Sequence, residues 1–275
     1  MPLGRHDLRA IPFGAVTKLQ MIGGGKMGQA LVGGLLTASW AAPDELTIVE
    51  VVAEQRAAVA AAYPGVEVVE APVADVDSVL AVKPNLVAEV CAGLTSPRRV
   101  LSIAAGVTIA SIEAALPDGT SVIRVMPNTP ALVGAGAAAV AGGTAATDDD
   151  VAWAVEVLSA VGAAVVVTEP LLDAVTGLSG SGPAYVFLIA EALIDAGVSA
   201  GLPAELAATL AGQTLYGAAK LLVESGTAPS ELRAGVTTPA GTTAAGLRVL
   251  EQRGVRAAMI DAVAAATERS RELGD

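Results

Sequence analysis

The chain has 275 residues, which is enough for two domains with separate hydrophobic cores. Its formal net charge of −12 at pH 7 argues against nucleic acid as a partner, because most of the surface would repel a polyanion. Hydrophobic residues make up 53% of the sequence, but no uninterrupted apolar run of about 18 residues predicts a membrane span.

Short Val- and Ile-rich segments alternate with Ala-rich helical segments from Val16 onwards. This alternation is typical of βαβ units and predicts an α/β domain with a doubly wound parallel sheet over residues 16–168. The predicted strands are 16–22, 46–50, 78–82, 100–104, 121–125, 134–143 and 163–167, with a helix over 148–160 before the last of them.

The strand pattern stops after residue 168, and residues 169–275 are rich in Ala and Leu with helical periodicity. The pattern is interrupted at 197–203, 226–229, 236–241 and Gly254, and Pro183, Pro203 and Pro229 suit helix starts. We therefore predict a second, all-helical domain. Its apolar surface exceeds what so small a domain can bury, so we expect a homodimer or larger homo-oligomer.

Histidine and cysteine are too scarce for several kinds of chemistry. Cys91 lies in a helical stretch and is predicted to be a buried, inert thiol. The single histidine, His6, lies in an N-terminal tail, residues 1–15, that lacks the apolar core of a signal peptide, so we expect a cytoplasmic protein. No metal site and no Ser-His-Asp triad are predicted.

Gly23, Gly25 and Gly28 form a G-x-G-x-x-G motif directly after the first predicted strand, at the start of a helix. The first glycine permits a tight turn, the second lets a pyrophosphate approach the backbone, and the third lets the helix pack closely on the strand. We therefore predict a dinucleotide site, with Lys26 and Met27 also in its phosphate-binding loop.

Glu50 ends the second predicted strand, 22 positions after Gly28, where an acid usually binds the adenosine ribose hydroxyls. A carboxylate there would repel a 2′-phosphate, which favours NADH over NADPH. Arg56, about one helical turn further on, could reverse this preference by folding back. The choice stays open, with NADH favoured.

The loop at 236–247 is dense in threonine and glycine and leads into an Ala-rich helix. Unpaired N–H groups and the helix dipole make such a start an anion site, and Thr238, Thr242 and Thr243 add hydroxyls for a carboxylate. A second loop, 179–183, contains Ser181 and Gly182 and precedes another helix of the same domain. We hypothesise that both loops line one pocket, although each also fits an ordinary helix cap or turn.

Together these segments resemble the pyrroline-5-carboxylate reductase family. The resemblance covers essentially residues 16–273 and rests on the glycine loop, Val82-Lys83-Pro84, and the segments 124–130, 173–185 and 236–247. The last two segments are specific, whereas the glycine loop alone fits many dehydrogenase families.

The resemblance implies a Rossmann-type domain and a helical domain that dimerises by interleaving, with the active site between the cofactor of one subunit and the helical loop of its partner. It also implies that NAD(P)H reduces the C=N bond of the cyclic imino acid (S)-1-pyrroline-5-carboxylate to give L-proline. Thr243 is expected to lie closest to the ring nitrogen. The expected substrate-binding residues are Ser181, Gly182, Val236, Thr238, Gly241, Thr242 and Thr243, and those at the cofactor's ribose and nicotinamide are Val82, Lys83, Pro84, Ala104 and Asn128.

Two departures from the family pattern bear on these expectations. Family members often carry Arg or Asn just after the second strand to bind the 2′-phosphate, whereas this chain has Glu50-Val51-Val52. Ala240 stands where the family usually has glycine, at a cost of about 1 kcal/mol if the backbone φ is positive there. We expect a slightly altered loop with retained activity.

Reduction of a cyclic imine suits a chain with so few proton-transfer groups. The imine can bind already protonated, so that positioning and a threonine hydroxyl suffice without a strong acid. A β-hydroxyacid dehydrogenase that uses Lys220 as its acid or base is an alternative, and a non-catalytic nucleotide-sensing scaffold is another.

Overall fold

The computed structural model describes residues 17–274, so His6 and the predicted tail 1–15 lie outside the described residues. The chain divides into two compact units between Glu169 and Pro170. The first is here called the sheet unit and the second the helical unit.

The sheet unit is built on one eight-stranded sheet. Its strands are β1 (Leu19–Ile22), β2 (Leu46–Val49), β3 (Glu67–Val69), β4 (Asp77–Leu80), β5 (Arg99–Ser102), β6 (Ser121–Met126), β7 (Gly136–Gly142) and β8 (Gly162–Val166). Their order is β3-β2-β1-β4-β5-β6-β7-β8, and β1 pairs in parallel with both β2 and β4. The chain thus runs outward in both directions from β1, which confirms the predicted doubly wound arrangement.

Within residues 17–169 this unit has five α-helices: α1 (Lys26–Thr37), α2 (Ala53–Ala62), α3 (Val87–Gly93), α4 (Ile109–Glu113) and α5 (Asp148–Ser159). Every residue of β1, β2 and β4 is buried, as expected of parallel strands covered on both faces. Leu31 and Leu35 of α1 and Val157 of α5 belong to the same core, each 0% exposed. Burial of one such side chain contributes about 1.5–3 kcal/mol.

The last two strands depart from the predicted parallel pairing. β7 runs antiparallel to β6, and β8 runs parallel to β7. Only residues 127–135 join β6 to β7. A parallel crossover needs about a dozen residues or more, so this short connection reverses the chain, whereas α5 supplies the crossover to β8.

The strand β3 was not predicted from the sequence. This strand has three residues, lies at the sheet edge beside β2, and keeps none of them fully buried. A segment so short and so exposed does not show the apolar alternation that identifies a strand.

The helical unit contains six helices within residues 170–274: α6 (Leu172–Val175), α7 (Gly182–Ser199), α8 (Ala204–Ser225), α9 (Pro229–Gly235), α10 (Thr242–Gln252) and α11 (Val255–Gly274). Gly226 and Gly254 take positive φ values between helices, which is the usual role of glycine at a helix end. Gly197 was predicted to end α7, but the helix continues to Ser199. A Cβ at Gly197 would lie 3.1 Å from Cβ of Ala207, so this glycine lets α7 and α8 pack closely.

Candidate active site

The glycine loop between β1 and α1 is shaped mainly by the protein's own packing. Gly23 has a φ of +111°, and a Cβ there would lie 2.5 Å from the carbonyl oxygen of Ala81. A Cβ at Gly28 would collide with the carbonyl oxygen of Gly23. A Cβ at Gly25, in contrast, would meet no atom within 4 Å. Gly25 therefore leaves open space in front of the helix start, where a ligand can approach the backbone.

The start of α1 has the electrostatics of an anion site. Gly25 is the N-cap residue in an extended conformation, no side chain caps the helix, and its first turn contains no acidic residue. The unpaired N–H groups and the positive end of the helix dipole thus remain available to a phosphate. The chain fits a dinucleotide pyrophosphate at this position.

A cleft of about 440 Å³ lies where β1, β2 and β4 end. The carboxyl ends of strands at a switch in strand order are where open α/β sheets bind ligands. The cleft brings together five of the predicted cofactor residues: Gly23, Gly25, Glu50, Val82 and Lys83. Lys26, Met27 and Gly28 follow in the first turn of α1, and Pro84 follows Lys83.

Glu50 is partly engaged by the loop itself. Its Oε2 accepts a hydrogen bond from the Gly24 N–H at 3.1 Å, and its Oε1 accepts one from the Val52 N–H at 2.9 Å. Each carboxylate oxygen keeps a lone pair for a further donor. The side chain therefore holds the glycine loop and can also accept a hydrogen bond from a ribose hydroxyl.

Arg56 does fold back onto the end of β2. Its Nη1 donates to the carbonyl oxygen of Glu50 at 2.7 Å, and its Nη2 pairs with Glu70 at 3.2 Å. Both terminal nitrogens are thus engaged by protein acceptors. Val51 and Val52, which occupy the positions after Glu50, are 71% and 56% exposed and offer no charge to a phosphate.

Ala104 and Asn128 follow β5 and β6, and they continue the row of strand ends beyond the cleft without lining it. The Ala104 N–H donates to Ser102 Oγ at 3.3 Å. Asn128 Oδ1 accepts from the Ala137 N–H at 2.8 Å, which ties the end of β6 to the start of β7. Both positions lie at the carboxyl ends of strands, the side of an open α/β sheet where ligands bind.

A larger groove of about 550 Å³ runs along α1 beside the 3-10 helix Thr129–Val133. Of the predicted cofactor residues, only Lys26 lines it. This groove lies along the helix, whereas the smaller cleft lies across the strand ends, where open α/β sheets bind ligands.

The start of α10 resembles the start of α1. Gly241 is an extended N-cap without a side-chain cap, and Thr242 and Thr243 form a first turn that lacks acidic residues. The Gly241 N–H closes a turn onto the carbonyl oxygen of Thr238 at 3.0 Å, and a Cβ at Gly241 would collide with Thr238 Oγ1. Ala240 has a φ of +58°, so the condition for its cost of about 1 kcal/mol is met.

The segment 179–183, predicted as a second substrate loop, is helical instead: Ser179 and Gly180 end a π-helical turn, Thr176–Gly180, which the sequence did not predict, and Gly182 begins α7. The Ser181 N–H donates to the Thr176 carbonyl oxygen at 2.8 Å, and Tyr185 Oη donates to the Gly177 carbonyl oxygen at 3.1 Å. A Cβ at Gly182 would meet no atom within 4 Å. π-helical turns occur frequently at functional sites, and this one sets where Ser181 and Gly182 stand.

Two other predicted residues have ordinary surroundings. The Lys220 side chain is 52% exposed, and its ammonium lies 3.8 Å from the Glu224 carboxylate on the same helix, as expected of a solvated helix residue. Cys91 is buried as predicted, and burial raises the pKa of its thiol to about 11. The thiol is therefore protonated at neutral pH and unreactive.

The helical unit exposes an extensive apolar surface along α7 and α8 within its single chain. Exposed residues include Val186, Phe187, Leu188, Leu193, Leu206, Leu210, Tyr216 and Leu221. The stretch Glu169–Ser199 is long and apolar enough to cross a membrane by length and composition, and only 6% of its apolar window is buried. Exposed apolar patches of this extent mark an interaction surface.

Family models match part of the sheet unit and nearly all of the helical unit. Residues 169–273 match the model for the dimerisation domain of pyrroline-5-carboxylate reductase. Residues 18–106 match a model described as NADP oxidoreductase, coenzyme F420-dependent.

Individual relatives extend the similarity over nearly the whole chain. A pyrroline-5-carboxylate reductase of Methanosarcina acetivorans is 44% identical over 265 residues, which cover 94% of this chain and 98% of the relative. The solved structure of the Coxiella burnetii reductase superposes with a TM-score of 0.88 at 35% identity, covering 94% of this chain and 99% of that one. The Plasmodium falciparum enzyme, solved with NADP bound, gives 0.78 at 29% identity, covering 94% and 98%. The chain therefore belongs to the pyrroline-5-carboxylate reductase family.

Proposed function

We propose that this protein reduces the C=N bond of 1-pyrroline-5-carboxylate with NAD(P)H to give L-proline, the last step of proline biosynthesis. The proposal is supported above all by identity of 44% with an enzyme of that name over 94% of the chain. The open space at Gly25 and the uncapped, acid-free start of α1 support a nicotinamide dinucleotide as the hydride donor.

In this proposal the α10 loop binds the substrate carboxylate. The N–H groups at the start of α10 and the hydroxyls of Thr238, Thr242 and Thr243 supply donors to it, with the dipole of an 11-residue helix behind them. Gly241 leaves room for the Thr238 hydroxyl, which a Cβ at this position would displace. Val236, Ser181 and Gly182 complete the proposed pocket. The Thr243 hydroxyl orients the ring nitrogen.

The proposed chemistry makes small demands on the protein. A nicotinamide cofactor, when bound, supplies the hydride that forms the new C–H bond. If the imine binds already protonated, the C=N electron pair moves onto nitrogen and no proton has to be delivered in that step. The protein's task is then to hold the ring against the cofactor and exclude water, which proximity and hydrogen-bonding threonines can do.

The strand-end residues form the proposed cofactor site. Gly23, Gly25 and Gly28 hold the pyrophosphate together with Lys26 and Met27, and Glu50 binds the adenosine ribose. Val82, Lys83, Pro84, Ala104 and Asn128 border the ribose and the nicotinamide. In this arrangement the sheet unit is the cofactor domain, and the helical unit binds substrate and dimerises.

We also propose that NADH is preferred to NADPH. Glu50 lies at the cleft as an acceptor, Val51 and Val52 carry no charge, and Arg56 is engaged by Glu50 and Glu70. A 2′-phosphate at the end of β2 would thus lie near the Glu50 carboxylate, while both terminal nitrogens of Arg56 are already bonded to protein acceptors.

The exposed apolar surface of α7 and α8 is proposed to contact a second copy of the chain. The dimerisation-domain match over residues 169–273 supports this assignment over a membrane, since it covers the whole of the apolar stretch Glu169–Ser199. Light scattering on purified protein tests it: a monomer that needs detergent for solubility would contradict the assignment. A cytoplasmic location stays a prediction from the sequence.

The deciding experiment follows the loss of absorbance at about 340 nm with pyrroline-5-carboxylate, with NADH and NADPH in parallel. Turnover is expected with both, and a higher kcat/KM with NADH would support the preference proposed from Glu50. Cofactor binding without turnover of any imine would contradict the reductase proposal and favour a sensing scaffold. Turnover of a β-hydroxyacid instead would favour the dehydrogenase alternative.

A further inference from the structure

The peptide groups around Gly24, the middle residue of the glycine loop, are held by three side chains from three different elements. The Gly24 carbonyl oxygen accepts from Gln29 Nε2 at 2.7 Å and from Gln55 Nε2 at 2.9 Å. Its N–H donates to Glu50 Oε2 at 3.1 Å. Gln29 lies on α1, Gln55 on α2, and Glu50 at the end of β2. Sequence patterns gave no reason to single out either glutamine.

Holding this carbonyl fixes the next N–H group as well. In a planar trans peptide the C=O and N–H bonds point in opposite directions. The two glutamines therefore aim the N–H of Gly25 away from themselves. Within residues 17–274 that N–H has no acceptor, and Gly25 faces open space at the start of α1.

A loop of three consecutive glycines needs such a constraint. Glycine adopts positive and negative φ values about equally readily, so the peptide between Gly24 and Gly25 can rotate at little steric cost. Rotation would turn a carbonyl oxygen, with its negative partial charge, toward a bound pyrophosphate. Both lone pairs of the Gly24 oxygen are engaged by the glutamines, and this opposes rotation.

We infer that Gln29 and Gln55 are positioning residues for the dinucleotide: they hold the Gly24 carbonyl so that the Gly25 N–H is presented to the pyrophosphate. This inference rests on the proposed cofactor site. It predicts redundancy between the two side chains, because either donor alone still restrains the same oxygen.

Gln29→Met, Gln55→Met and the double variant test this inference, since methionine keeps the length of the side chain but cannot donate. Ala61→Met is the matched control, because it adds the same side chain at an exposed position further along α2. Kd for NADH and for NADPH is measured by fluorescence titration, and kcat, KM and Tm are measured on the same proteins.

Each single variant is expected to raise the cofactor Kd about threefold and the double variant more than about tenfold, with kcat at saturating cofactor within about twofold of wild type. The Ala61→Met protein should match wild type throughout. A double-variant Kd within about twofold of wild type would overturn the inference, as would a fall in kcat and Tm without a change in Kd.

The same measurements distinguish failure of the reductase proposal from failure of the inference about Gln29 and Gln55. If wild type binds NADH but reduces no imine, the reductase proposal fails while the Kd values still test the glutamines. If wild type binds neither cofactor, both fail.

Discussion

The loops that precede α1 and α10 have the same backbone geometry at the helix start but different surroundings. Gly25 and Gly241 are both extended N-caps, with φ and ψ of −71° and 177° in the first and −77° and 173° in the second. Neither helix has a side-chain cap or an acidic residue in its first turn. Both starts are thus suited to an anion by the same backbone geometry.

The two loops differ in what holds them. The α1 loop is packed against Ala81 and is held by hydrogen bonds from α1, α2 and the end of β2. The α10 loop is closed by its own turn between Thr238 and Gly241, and Thr242 and Thr243 are exposed on the single chain. The α1 loop is therefore preorganised by its contacts with the sheet and the neighbouring helices. The α10 loop is held by its own turn, and its threonines remain exposed on the single chain.

The largest effects are expected from alanine substitutions in the α1 loop, and they should differ between Gly28 and Gly25. Gly28→Ala should lower the free energy of unfolding by about 1–3 kcal/mol and impair cofactor binding, because its Cβ would collide with Gly23. Gly25→Ala should leave Tm nearly unchanged and raise the NADH Kd more than about tenfold, because its Cβ fills space meant for the pyrophosphate. Thermal unfolding and NADH titration check both. Unchanged NADH affinity in Gly25→Ala would remove this loop from the cofactor site.

A second prediction concerns the α10 loop. Thr243→Ala should lower kcat/KM for pyrroline-5-carboxylate, with a loss of about 1–3 kcal/mol of transition-state stabilisation. The NADH Kd should stay unchanged. Lys220→Met serves as the counterpart, and it should keep most of the turnover because Lys220 is a solvated residue that pairs with Glu224 on the helix surface. Steady-state kinetics decide the matter: near-complete loss of turnover in Lys220→Met would instead favour the hydroxyacid dehydrogenase alternative.

A third prediction tests the electrostatics at the end of β2. Val51→Arg should improve kcat/KM with NADPH relative to NADH by about tenfold, because it places a guanidinium beside the position of the 2′-phosphate. Val51 is 71% exposed, so the change should leave Tm unaltered. Parallel rate measurements with the two cofactors give the ratio, and an unchanged ratio would show that the 2′ position lies elsewhere.

The smallest effect is expected at Ala240. Ala240→Gly relieves a left-handed alanine, with a φ of +58°, but adds conformational freedom to the unfolded chain. The two contributions nearly cancel, so the free energy of unfolding should change by less than about 1 kcal/mol and kcat/KM by less than about threefold. Denaturant unfolding and kinetics provide the check. A large gain in activity would mean that Ala240 distorts the α10 loop more than its dihedral angles indicate.

Local sequence determined most of the elements and both loops. The alternation of Val- and Ile-rich segments with Ala-rich segments located seven of the strands, because β-branched residues favour strands whereas alanine favours helices. The glycine motif, Glu50 and the threonine loop were recognisable because backbone constraints near phosphates and helix starts select particular residue types. The family assignment followed from the specific segments 173–185 and 236–247 and was confirmed by the relatives.

Tertiary structure decided what depends on partners distant in sequence. The reversal at β7, the edge strand β3 and the continuation of α7 past Gly197 each depend on loop length or on a neighbouring element. The engagement of Gln29 and Gln55 with one carbonyl oxygen is of the same kind, because residues on two helices meet there. A sequence pattern records what each residue prefers locally, but contacts between distant residues exist only once the chain has folded.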